Sequence, residues 1–168
     1  MNSKKNVLPG IAVFGIVMGI LLKVFVFDIV KIGGESMSPA LKPNSYVFVN
    51  KLAYGIKNPF TNTYRAQWNQ PERMDIVLVL HSSKVIVKRV IAKEKDMLEF
   101  CTNSLYNVKV NDKIIPLTQE QYSILTEFET VPETMMFLIG DNYEKSIDSR
   151  HYGFIPEESV LGKVVLWK

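Results

Sequence analysis

Residues 7–27, VLPGIAVFGIVMGILLKVFVF, carry one charge in 21 positions, and that charge, Lys23, stands near one end. Such a run must be buried on all sides by protein or surrounded by lipid. As a helix rising about 1.5 Å per residue it would cover the roughly 30 Å hydrocarbon core of a bilayer. Lys23 would then snorkel along its own methylenes to the interface. Lys4 and Lys5 precede the run, so the positive-inside rule puts a short segment, 1–6, in the cytoplasm and residues 28–168 outside the cell membrane. A cleaved leader is the other reading of an apolar N-terminus. Against it stands VFVFDIV at 24–30, which is bulky where a cleavage site needs small residues. The expectation is one retained, single-pass anchor in the lipid bilayer.

Beyond the anchor the pattern changes from helical to strand-like. SYVFVNKLAYG, DIVLVLH, KVIVKRVIA, LYNVKVNDKII, MMFLIGD and VLGKVVLWK are short, rich in β-branched and aromatic residues, and separated by Gly, Pro, Asn or Asp. VKVNDKIIP predicts a hairpin turning at Asn111–Asp112. PLTQEQYSILTEF is the one segment with room for a short helix, and 57–73 and 117–134 read as long loops or a small insert. A chain of 168 residues fits one domain plus an appendage. The expected fold class is mainly β: a compact antiparallel sheet domain behind one N-terminal transmembrane helix.

Charge and cysteine usage remove several function classes. A formal charge of +3, with the basic residues scattered, does not suit a nucleic-acid binder. Cys101 is the sole cysteine and has no local basic partner in EFCTNS, so it reads as buried or inert. Neither His nor Cys spacing suggests a metal site.

The chemistry concentrates in three places. In KIGGESMSPALKPNSY, Ser36 follows two glycines and precedes Pro39, and no histidine lies nearby to take its proton. In KVIVKRVIA, strand alternation puts Ile86, Lys88 and Val90 on one face and Val85, Val87, Arg89 and Ile91 on the other. One of the two basic residues therefore points among apolar neighbours. A lysine held in a dry site loses the solvation of its ammonium, so its pKa falls from about 10.4 toward neutrality and it can serve as a general base toward a serine. From VKRV alone a solvated sheet face remains the plainer alternative. In GDNYEKSIDSRHYGFIP, Ser146 has the chemistry to hydrogen-bond and orient a neutral amine. Asp148 and Arg150, two apart, would share a face of an extended segment and form a charge-assisted pair.

Taken in order, these segments resemble the bacterial type I signal peptidases, membrane-bound serine proteases of the Ser/Lys class. GESMSPAL is similar to that family's G-x-S-M-x-P-T-L, VKRVIA to the lysine segment, and GDNYEKSIDSRHYG to G-D-N-x-x-x-S-x-D-S-R-x-[YW]-G. The resemblance implies Ser36 as nucleophile, Lys88 as general base, Ser146 as the residue orienting the lysine, and Asp148 and Arg150 as support. It implies the backbone N–H of Ser36 as oxyanion donor, no cofactor, and signal peptides of secreted preproteins as partners, cut after an A-x-A pattern at the outer membrane surface. Ile32, Leu41, Leu78, Ile86 and Val87 are the candidates for the walls of the small pockets.

The chain departs from the family pattern at Gly34, where some members carry a serine as second oxyanion donor, and in LKPNSY and VIAKEKD, which lack the usual turn residues. Two further readings fit the same residues: a dedicated processing peptidase of a conjugative transfer or pilin system, and a non-catalytic anchored domain that binds exported chains.

Overall fold

The structure, a computed structural model, describes residues 8–58, 61, 63–102 and 105–165. The expected cytoplasmic segment 1–6, with Lys4 and Lys5, lies outside the described residues. The apolar run forms α1 (Leu8–Phe25), and its side chains are exposed around the whole helix, Ile11 by 63% and Phe14 by 65%. Its 18 residues rise about 27 Å. Among the described residues no helix is long and apolar enough to cross a membrane. The last residue of the expected span, Phe27, already belongs to a strand, β1 (Phe27–Lys31). The preference of β-branched and aromatic residues for a pleated surface explains why FDIVK pairs laterally instead of extending the helix.

The rest is antiparallel sheet, as the alternation predicts. β2 (Tyr46–Asn50), β5 (Ile76–His81), β6 (Lys84–Lys93), β10 (Met135–Ile139), β11 (Ile155–Pro156) and β12 (Val160–Val165) join β1 in a seven-stranded sheet ordered β1-β2-β12-β5-β6-β10-β11. Two small sheets flank it: the hairpin β3 (Gly55–Lys57) with β4 (Tyr64–Gln67), and β7 (Glu99–Cys101), β8 (Asn107–Val110) and β9 (Lys113–Pro116). β8 and β9 turn at Asn111–Asp112 as expected, with Asn111 at φ 54°, a conformation asparagine tolerates.

The polar stretches are more structured than loops. Segment 57–73 contains β4, and 117–134 contains α2 (Gln119–Leu125), opened by a capping box between Thr118 and Gln121. Cys101 ends β7 and is exposed, not buried. A second short helix, α3 (Ser149–Tyr152), was not legible in the sequence pattern.

Three apolar clusters hold the layers together, and two of them matter for the site. Met37 and Leu41 pack with Val47, Val49, Ile76 and Leu78 beneath β2 and β5. Val77, Val79, Val90, Met136 and Leu138 fill the space between β5, β6 and β10. Burying each such side chain contributes roughly 1.5–3 kcal/mol. Central β6 pairs with β5 over Lys84–Arg89 and with β10 over Arg89–Lys93. Its first half, Lys84–Val87 and Lys88, pairs with β5 alone, and β1 pairs with β2 alone. Two free strand edges thus remain next to the loop that carries Ser36.

Candidate active site

Ser36 lies in the loop between β1 and β2. Met37 and Leu41 on either side of Pro39 are inserted into the core, and Leu41 N–H donates to the Met37 carbonyl at 2.8 Å, so the turn is fixed from below. From above, the Asn142 N–H donates to the Ser36 carbonyl at 3.0 Å. Ser36 is half-buried and lines a cavity of about 310 Å3 together with Lys88, Ile32, Leu78, Ile86 and Val87. Four of the five residues expected as pocket walls are therefore there. Leu41 sits in the core under the loop instead, and Val30, Met37 and Val85 complete the apolar wall. Val30 lies three residues beyond the expected anchor, in a stretch where the sequence carries no other site signal.

Strand alternation on β6 separates the two basic residues. Arg89 turns to one face and forms a two-pronged pair with Asp141, at 2.7 and 2.6 Å, while also donating to the Met74 carbonyl. Lys88 turns to the other, is only 4% exposed, and donates from Nζ to Ser146 Oγ at 2.9 Å. The lysine, not the arginine, takes the buried position. Burial pushes the Lys88 pKa down, the Arg150 charge adds to the fall, and Asp148 opposes it.

Ser146, Asp148 and Arg150 are all buried and form one network. The charge-assisted pair is present, with Arg150 Nε donating to Asp148 Oδ1 at 2.8 Å and Nη2 to Oδ2 at 3.0 Å. The segment is not extended, however. Asp148 is the N-cap of α3 and accepts from the Arg150 N–H, so the pair closes around a helical turn. An aspartate two residues before an arginine caps a helix as readily as it pairs along a strand, and two residues of spacing cannot separate the cases. Asp148 also accepts from the Gly140 N–H at 3.1 Å, and Arg150 Nη2 donates to the carbonyls of Tyr143 and Ser146. Hydrogen bonds from Arg150 and Ser146 outweigh burial and hold the Asp148 carboxyl below its usual range, so it stays ionised.

Gly140 is required by this packing. A Cβ there would run into Ser146 Oγ and the Ser36 carbonyl, so only glycine lets the two loops meet. The two histidines are occupied elsewhere. His81 stacks on Tyr152 with ring centroids 4.2 Å apart, and His151 Nε2 lies 3.0 Å from Gln121 Nε2. Neither lines the Ser36 cavity. Among the described residues no group of His, Cys, Asp and Glu could hold a metal ion.

A half-buried serine and a buried lysine of lowered pKa thus line one apolar cleft beside free strand edges. The chain is similar to known proteins. The signal peptidase, peptidase S26 family matches residues 5–167. The signal peptidase I of Bacillus caldolyticus is 31% identical over 158 residues, covering 85% of this chain and 80% of its own. That of Buchnera aphidicola subsp. Baizongia pistaciae is 26% identical over 221 residues, covering 88% and 71%. Among solved structures, a signal peptidase I from Enterococcus faecalis V583 is 24% identical, with a TM-score of 0.44, and covers 58% of this chain and 98% of that one. The chain belongs to the signal peptidase family. It is a hydrolase of the signal peptidase I type, an enzyme that removes signal peptides from preproteins.

Proposed function

We propose that Ser36 Oγ is the nucleophile of this reaction and Lys88 Nζ its general base. The observation that carries the assignment is the Lys88–Ser146 hydrogen bond inside a cavity that Ser36 also lines. Ser146 interacts with ionised Asp148, so its proton is directed there and its lone pairs face Lys88. The neutral amine then donates an N–H to Ser146, and its own lone pair is left for Ser36. Proton transfer from Ser36 to Lys88 accompanies attack on the scissile carbonyl, and the ammonium returns that proton to the leaving amine. The Ser36 N–H, which donates to no protein acceptor among the described residues, is the candidate donor to the developing oxyanion. This mechanism needs no metal and no cofactor.

The substrate reading rests on the cleft. A peptide in extended form can pair with the free edges of β1 and of the first half of β6. Ile32, Leu78, Ile86 and Val87 line the cleft in which the small side chains at the first and third positions before the cut would bind. Helix α1 holds this cleft at the outer surface of a cell membrane. Its exposed apolar sides favour lipid, and the apolar band continues past Phe25 through exposed Phe27 and Ile29, which offsets the shortness of the helix. Lys51 fastens the domain to its end, donating to the carbonyls of Lys23 and Val24.

The test is cleavage of a purified precursor by the detergent-solubilised chain. Ser36→Ala and Lys88→Ala should each abolish cleavage, and the double variant should be little worse than either, because residues acting as one unit are not additive. Substantial cleavage by Lys88→Ala would remove the lysine from the mechanism.

A further inference from the structure

The segment that joins β4 to β5 bounds a polar cleft of about 470 Å3, walled by Gln67, Trp68, Asn69, Gln70, Glu72 and Lys93. None of these residues lines the Ser36 cavity. Lys93 lies five positions beyond Lys88 on β6, about 17 Å along the strand. Val85, which shares a cavity wall with Phe25 of α1, lies on the opposite side of Lys88. The cleft therefore opens at the end of β6 turned away from α1.

Its backbone is anchored from below. The N–H groups of Trp68 and Asn69 both donate to the carbonyl of buried Tyr54, at 3.2 Å each. The Tyr54 hydroxyl donates to Asp75 Oδ2 at 2.7 Å, and the same oxygen accepts from the Glu72 N–H. The Gln70 N–H donates to Asn69 Oδ1 at 2.9 Å, and Gln67 Nε2 donates to the Asn69 carbonyl. The outward side is the reverse. Trp68 is 55% exposed, and among the described residues no ring packs against it and no acceptor meets its indole N–H. Asn69 Nδ2, the Gln70 amide, the Glu72 carboxylate and the Lys93 ammonium likewise have no hydrogen-bond partner among the described residues. Unpaired groups on a fixed backbone cost little further ordering when a ligand arrives.

We propose that this cleft binds a neutral saccharide and so holds the catalytic domain against a glycan without touching the Ser36 site. Trp68 supplies the aromatic surface. The C–H bonds on one face of a sugar ring carry the positive edge that the negative face of an indole attracts. The carboxamides around it both donate and accept, which suits neighbouring hydroxyls, since each hydroxyl does both. Glu72 and Lys93 add one charge of each sign, so the cleft favours neither an anion nor a cation. A protein partner fits less well, because the centre of a protein interface is apolar and Trp68 is the only apolar side chain here. The volume lies in the lower part of the range of small-ligand sites, about 300–1,000 Å3, so the ligand is a short stretch of sugar. With α1 in the membrane, the cleft faces the aqueous space beyond it. The sugar therefore belongs to a soluble or wall glycan, not to a lipid headgroup.

The experiment titrates the full chain in detergent, by calorimetry, with two neutral disaccharides, N,N′-diacetylchitobiose and maltose. Trp68→Ala, Trp68→Phe and Gln70→Ala are the variants. At least one disaccharide should bind wild type with a Kd of about 1 mM or lower. Trp68→Ala should weaken binding about tenfold, and Gln70→Ala about threefold. Trp68→Phe keeps an aromatic face and should lose less than Trp68→Ala. The sugar should also change the fluorescence of wild type and leave that of Trp68→Phe unchanged, although Trp167 remains. Precursor cleavage by all three variants should match wild type, which reports an intact fold and separates this cleft from the Ser36 site. The absence of saturable binding by either sugar overturns the proposal, and so does equal affinity in wild type and Trp68→Ala. Binding to glycolipid vesicles but to neither free disaccharide overturns the assignment to an aqueous glycan. Binding of an extended peptide in place of sugar, lost in Trp68→Ala, overturns the saccharide and makes the cleft a protein-docking site.

Discussion

Lys88 Nζ and Ser146 Oγ meet at 2.9 Å although 58 residues separate them in the chain. The bond joins the one buried cation of β6 to the loop after β10, and everything behind Ser146 is arranged to hold it there. Asp148 is fixed by the Gly140 N–H and by Arg150, and Arg150 is fixed by three carbonyls, those of Pro116, Tyr143 and Ser146. In the proposed mechanism this network serves to orient the Lys88 amine.

Activity should rise with pH through the depressed Lys88 pKa, because only the neutral amine accepts a proton. Burial is the largest cause of the depression, so Ile86→Ser, which admits water to the cleft, should move the rising limb to more alkaline pH. His81→Ala and His151→Ala should leave the limb in place. A histidine base would instead produce a limb near the ordinary pKa of about 6.5, and replacing it would abolish that limb. Rate profiles of the four proteins decide between the two bases.

Ser146→Ala should reduce kcat by about 10²-fold, the scale of a misoriented catalytic group, while KM changes little. The discriminating companion is Ser146→Thr, which keeps the hydroxyl and should restore most of the rate if the added methyl is accommodated. Steady-state kinetics on one precursor measures both. A structural role alone would lower thermal stability of the alanine variant without separating the two substitutions in kcat.

Much of the fold was legible because IVLVL, KVIVKRVIA and MMFLI are short runs of apolar and β-branched residues bounded by turn residues, and all form strands of the main sheet. β1 was hidden, since FDIVK continues an apolar run and nothing in its composition marks where the helix stops. α3 was hidden for another reason. Its four residues are too few for a helical period, and its cap, Asp148, is also a site residue. At the site, alternation could say that Lys88 and Arg89 face opposite ways but not which is buried. That choice depends on Asp141, 52 residues on, which accepts Arg89 and leaves the dry face to the lysine. The span at 7–27 remains a reading of apolarity and exposure, not a feature the fold displays.

Lys88 should also cost the protein stability. Its folded pKa lies below its unfolded value of about 10.4, so the unfolded chain binds the extra proton. The penalty is full below the folded pKa and vanishes as pH rises through about 10.4. Lys88→Met, similar in length and uncharged, should therefore raise the urea midpoint at neutral pH, with a gain that shrinks toward pH 10.5. Equilibrium unfolding of the full chain in detergent at several pH values measures it. A gain independent of pH would mean that packing, not proton binding, is responsible.

Two glycines near Ser36 should respond in opposite ways to a larger side chain. Gly140→Ala places a Cβ against Ser146 Oγ and the Ser36 carbonyl, so the loops must separate. A displacement on that scale should lower kcat by about 10²-fold and break the geometry of both Ser36 and Lys88. At Gly34 a Cβ would meet nothing within 4 Å, and this residue already lines the cleft two positions before Ser36. Gly34→Ser is therefore accommodated, and its hydroxyl can add a second donor beside the Ser36 N–H. A side-chain oxyanion donor is worth about 10²–10³ in kcat where it is ideally placed. An increase of about tenfold in Gly34→Ser, absent from Gly34→Ala, would assign the gain to the hydroxyl. Equal rates in the two variants would mean that the oxyanion forms away from residue 34 and that the Ser36 N–H serves it without that neighbour.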